Sequence, residues 1–104
     1  MSAAPRHTTL QIPPDHPMYA GHFPARPIVP GAWLLAQAIS ALEAQEPDGG
    51  FDWGTLKSVK FLGTVAPGAV LELVLAGAPG DVRRLEIRCA GRLVLVATIN
   101  GPSP

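Results

Sequence analysis

Thirteen residues, Tyr19-Ala20-Gly21-His22-Phe23-Pro24-Ala25-Arg26-Pro27-Ile28-Val29-Pro30-Gly31, put one histidine in a proline-stiffened loop just ahead of an apolar run. If that run is a helix, its first backbone N–H groups have no internal acceptor and its dipole makes this end partly positive. A carbonyl oxygen resting there would be polarised. An imidazole held beside it could take the proton from the adjacent carbon, and the prolines would hold that imidazole in place without reordering it at each turnover. The same residues also suit a plain connection, in which His22 is an ordinary loop histidine and the prolines merely stiffen the path. The loop by itself leaves both readings open.

The elements that must position this loop are legible from periodicity. The chain has 12 prolines, and six of them fall between Pro13 and Pro30. Each fixes its own φ and removes a donor, so that stretch is neither helix nor central strand but an extended connection. Thr8 to Ile12 before it reads as a strand. Gly31 to Glu46 has no proline and reads as a helix opened by Pro30-Gly31 and stopped by Pro47-Asp48-Gly49-Gly50. Its first three turns are apolar nearly all round, interrupted only by Gln37 and Ser40, which predicts a buried helix with a sheet wrapped about it. Strands are expected at Thr55–Leu62, Val70–Leu75, Val82–Cys89 and Arg92–Ile99, with turns at Pro67-Gly68, Ala78–Asp81 and Ala90-Gly91. Along the third of these, Leu85, Ile87 and Cys89 should face one way and Arg84, Glu86 and Arg88 the other. The last is apolar on both faces, as a central or interface strand would be.

Composition limits the function classes. At 104 residues one domain, 1–104, is expected. Eight Lys and Arg balance eight Asp and Glu, and this zero net charge without a basic run argues against nucleic acid as a partner. Charged residues make up 15%, against roughly 25% in an average domain, which favours burial of some surface in an oligomer. A single cysteine excludes an internal disulfide and a cysteine zinc cluster. His7, His16 and His22 lack metal-ligand spacing, so no metal is expected. No apolar run approaches the roughly 20 residues of a membrane span, and Met1 to His7 has no signal-peptide core. A cytoplasmic protein without membrane contact is the expectation.

Gly21-His22-Phe23-Pro24, then Pro27-Ile28-Val29-Pro30-Gly31 and the apolar helix, resembles the hot-dog-fold 3-hydroxyacyl-(acyl-carrier-protein) dehydratases of fatty acid synthesis and their shorter relatives in aryl-polyene pigment pathways. Val59-Lys60-Phe61-Leu62-Gly63 and Pro67-Gly68 resemble that family's next strand and turn, so the likeness runs from about Asp15 to Ile99. It implies an α+β hot-dog fold, a long buried central helix wrapped by a curved antiparallel sheet, and dimers joined edge to edge with an acyl-pantetheine tunnel between subunits. It also implies an acyl carrier protein as partner and no cofactor. His22 would be the base or proton shuttle, and Gly31 would donate its N–H to the thioester carbonyl. Phe23, Pro30, Trp33, Ala36 and Arg26 would contact substrate.

One departure stands out. The resemblance implies a Glu or Asp fourteen residues after the motif histidine, as general acid on the leaving hydroxyl, and here that position is Ala36. Gln37 points about 100° further round the helix, and Glu43 is about 10 Å further along it. Three resolutions are open: Asp15 or His16 supplies the acid, a partner chain in a heterodimer supplies it, or the chain does not dehydrate. A non-catalytic partner subunit and a hot-dog thioesterase are the alternative functions.

Other residues have bland and functional readings side by side. Trp33 is a core aromatic or a tunnel wall. Phe51 and Trp53 read as packing. Cys89 reads as an inert core thiol. Arg26, Lys57, Arg83, Arg84 and Arg88 are solvated charges or contacts to an acidic carrier protein or its pantetheine phosphate.

Overall fold

A computed structural model of the chain describes residues 6–15, 29–45, 55–77 and 82–100. Strand β1 (Arg6–Gln11) precedes helix α1 (Gly31–Glu43), and β2 (Thr55–Phe61), β3 (Val70–Ala76), β4 (Arg83–Cys89) and β5 (Arg92–Asn100) follow it. The five strands form one antiparallel sheet in the order β1-β3-β4-β5-β2, so β1 and β2 are its edges. His16, His22, Phe23, Arg26, Phe51, Trp53 and the expected turn at Ala78–Asp81 lie outside the described residues.

Alternation builds the core. Leu71, Leu73 and Leu75 of β3 face inward with Leu85 and Ile87 of β4, and each is 2% exposed or less. Register places Leu73 beside Ile87 and Ile87 beside Leu95, so the apolar side chains line up across strands. On β5, Val94 to Ala97 are buried in succession. This strand lies between β4 and β2, and a register shift between Ile87 and Arg88 disturbs its alternation. The apolar-both-faces pattern thus belongs to an internal strand.

Arg83 is the exception to the solvated reading of the basic residues. It is 7% exposed. It shares the parity of Leu85 and Ile87, which turns it to the inner face, whereas Arg84 and Lys57 are exposed and Arg88 is half-buried. The parity that separates Leu85 from Arg84 was the available signal. Cys89 is partly buried against the core.

Two turns follow their sequence chemistry. The amide of Ala69 donates to the carbonyl of Ala66 at 3.2 Å around Pro67-Gly68, and Gly68 has φ 84°. That is the type II arrangement, with proline first and glycine at the left-handed position. Between β4 and β5, both Ala90 (φ 52°) and Gly91 (φ 80°) are left-handed. This is the two-residue hairpin pattern whose twist matches the flanking strands.

The helix differs from the expectation. It spans 13 residues, and its buried residues are Leu34, Ala38 and Leu42, one stripe at four-residue spacing. Ala32, Ala36, Ser40 and Glu43 are exposed. The sheet meets α1 along one side only, and the outward positions look apolar in sequence because they carry alanine rather than charge. Its C-terminal end is held to β1: Arg6 donates to the Gln45 side-chain carbonyl at 3.1 Å, and the Gln45 amide donates to the Thr8 hydroxyl.

Candidate functional site

Pro30 is extended (φ −61°, ψ 136°) and makes no side-chain cap, and the first turn of α1 carries no acidic residue. The first helical bond runs from the Leu34 amide to the Pro30 carbonyl at 3.0 Å. The amides of Gly31 and Ala32 therefore have no acceptor inside the helix, and no carboxylate in that turn offsets the positive end of its dipole.

Two contacts fix where that helix start sits. The buried Val29 donates its amide to the carbonyl of Val65 at 2.8 Å, which ties the approach to the helix to the segment after β2. The second contact is tighter. A Cβ added to Gly31 would lie 2.5 Å from Cε1 of Phe61 and 2.7 Å from its Cδ1. Gly31 is not among the residues of positive φ. A side chain at position 31 would have to displace the Phe61 ring, which occupies that space. Phe61 is the functional candidate that sequence reasoning passed over, taking it only as part of a strand. Its pairing with Leu95 and its parity with Val59 place it on the helix side of β2.

The remaining candidates divide. Trp33 is half-buried and packed against the core, as the core reading has it. Ala36 is exposed, on the side of α1 away from the sheet. Asp15 is exposed. The structure therefore brings Pro30, Gly31, Trp33 and Ala36 together on the first two turns, with His22, Phe23 and Arg26 outside the described residues.

Charge clusters elsewhere. On the outer face of β4, Glu86 accepts from Arg84 at 2.8 Å and from Arg88 at 2.8 Å. These hydrogen bonds, Arg84 first and then Arg88, hold its carboxyl below the ordinary glutamate value against a smaller desolvation effect. A cleft of about 660 Å³ on that side of the sheet is lined by His7, Thr9, Glu72, Arg88 and the Ala90-Gly91 turn, away from Gly31. His7 and Glu72 approach to 3.4 Å there and are both exposed. Among the described residues no cluster of three or more His, Cys, Asp or Glu is placed to hold a metal ion. No described helix is long and apolar enough to cross a membrane.

The family described as ApeI-like: ApeI dehydratase matches residues 3–94. The 3-hydroxyacyl-(acyl-carrier-protein) dehydratase FabZ of Bordetella petrii is 30% identical over 77 residues, covering 71% of this chain and 49% of that protein. The chain thus spans about half the length of the curated relative it matches. The dehydratase heterocomplex ApeI:P from Xenorhabdus doucetiae has a similar fold, with TM-score 0.69 at 18% identity over 96% of this chain and 95% of that one. An uncharacterised protein from Erwinia carotovora subsp. atroseptica gives TM-score 0.71 at 20% identity, over 95% and 92%.

Proposed function

This chain belongs to the ApeI-like dehydratase family, and from that premise we propose that it acts on 3-hydroxyacyl thioesters of acyl carrier protein, forming the trans-2-enoyl product. The observation that carries the reading is the opening of α1. Glycine at its first position is preceded by an extended proline, and no carboxylate stands in the first turn. The thioester carbonyl would accept from the Gly31 amide, which favours the negative charge that develops on that oxygen when the C2 proton leaves. A single donor of this type is typically worth about 3–4 kcal/mol in the transition state. His22 takes the C2 proton, the C2–C3 double bond forms, and the C3 hydroxyl leaves with a proton as water.

That last proton is the difficulty at Ala36. A methyl group cannot protonate a hydroxyl, and general acid catalysis contributes about 10²- to 10⁴-fold. Within this chain, the proton would have to return from the imidazolium of His22 or come from Asp15 or His16 at the start of the motif loop. The chain alone should therefore be a slow dehydratase. The same observation favours a second reading, a subunit that pairs with a carboxylate-bearing chain of the same fold. A dehydratase heterocomplex is among its structural neighbours.

The test is a dehydration assay on a 3-hydroxyacyl-carrier-protein substrate, with the chain alone and with candidate partner subunits, beside His22→Ala. Activity lost in His22→Ala supports the first reading. Activity that appears only with a partner supports the second. Activity indifferent to His22→Ala would remove His22 from the mechanism.

A further inference from the structure

We propose that Phe61 is a positioning residue for the Gly31 amide, setting where a thioester carbonyl can bind; this rests on the reading in which Gly31 donates to that carbonyl. Three observations support it. The ring fills the space a Gly31 side chain would take, with Cε1, Cδ1 and Cζ 2.5, 2.7 and 3.1 Å from an added Cβ. Gly31 has no positive φ, so no turn requires its lack of a side chain, and the Phe61 ring is what a side chain there would meet. Phe61 is also 55% exposed, although it is a large aromatic facing the helix. The ring presses one side on a helix terminus and leaves the other open.

The second anchor makes the contact decisive for geometry. The Val29 amide bond to Val65 holds the chain two residues before Gly31, and Phe61 lies four residues before Val65. The start of α1 is thus pinned from one short segment, by a backbone bond on the approach and by a ring at the first helical residue. Removing the ring leaves the first turn free to shift into the space it vacates. A displacement of about 1 Å at a reacting group can cost about 10²-fold in rate. The ring's open half offers an apolar surface beside the bound thioester.

The experiment compares wild type with Phe61→Ala, Phe61→Leu, Gly31→Ala and the Gly31→Ala/Phe61→Ala double variant. Kinetics are measured on a 3-hydroxyacyl-carrier-protein substrate in whichever assembly is active. Phe61→Ala should lower kcat by about 10- to 100-fold with KM changed by less than about threefold, and Phe61→Leu should recover part of it. The Gly31 amide resonance should shift in Phe61→Ala as the ring current is lost. Gly31→Ala should lower Tm, and the double variant should regain part of the loss. An unchanged kcat in Phe61→Ala, or a Gly31 resonance that does not move, overturns the proposal. Wild type inactive in every assembly sinks the proposed function instead; the resonance and the stability cycle then still decide whether Phe61 holds that amide.

Discussion

The amide of Val29 meets the carbonyl of Val65 at 2.8 Å, and both side chains are buried, at 6% and 2% exposure. This pair joins the proline-rich approach to α1 with the segment between β2 and β3. The backbone bond survives most substitutions, so the side chains offer the test. Val65→Ala should cost about 2 kcal/mol through lost burial and the cavity left behind. Denaturant midpoints at unchanged m-value would show it.

Ala36 offers a test of opposite sign. It is exposed, so Ala36→Glu should leave stability within about 0.5 kcal/mol. The resemblance puts the family's acid at this position, so the new carboxyl should supply it and dehydration by the chain alone should rise by about 10²-fold or more. Unchanged turnover in a folded variant removes position 36 from the site.

The β4–β5 turn holds stored strain. Ala90 sits at φ 52°, a region that costs an ordinary L-residue about 1–2 kcal/mol and suits asparagine better. Ala90→Asn should raise stability by about 0.5–1 kcal/mol, seen as a Tm higher by a few degrees. Gly91→Ala should do the reverse, since Gly91 is at φ 80°.

The Arg84–Glu86–Arg88 ladder gives a pH dependence. The carboxyl of Glu86 is held below its ordinary value by hydrogen bonds from Arg84 and Arg88. A group with a depressed folded-state pKa stabilises fully above its unfolded value, about 4.3 for glutamate, and loses that contribution as pH falls through the folded value. Glu86→Gln should cost at most about 1 kcal/mol at neutral pH, because the pair partners are partly exposed. The gap between variant and wild type should close as pH falls below the ordinary glutamate value and through the lowered folded one, and also in high salt.

Much of this architecture was legible because burial follows a period. Leu71-Leu73-Leu75 and Leu85-Ile87 alternate with polar or exposed positions and became the inner faces of β3 and β4. Pro67-Gly68 and Ala90-Gly91 announced their turns through φ alone. The helix was harder, because alanine does not say which way it faces. Ala38 is fully buried and Ala36 exposed, and only the position of the sheet distinguishes them. At the site, the uncapped start at Pro30-Gly31 could be read, since it depends on local chain geometry. Phe61 could not, since its contact with Gly31 joins residues 30 positions apart. Arg83 was misjudged by residue type, where its strand parity pointed inward.

The helix touches β2 at one end, through Phe61 and Gly31, and β1 at the other, through Gln45 with Thr8 and Arg6. Those strands are the two borders of the sheet. Thirteen residues rise about 20 Å, and four interstrand spacings make about 19 Å. The rod is as long as the platform is wide. Inserting or deleting one residue within it would rotate the Leu34–Ala38–Leu42 stripe by about 100° relative to one mooring, so its length is as constrained as any side chain in the core.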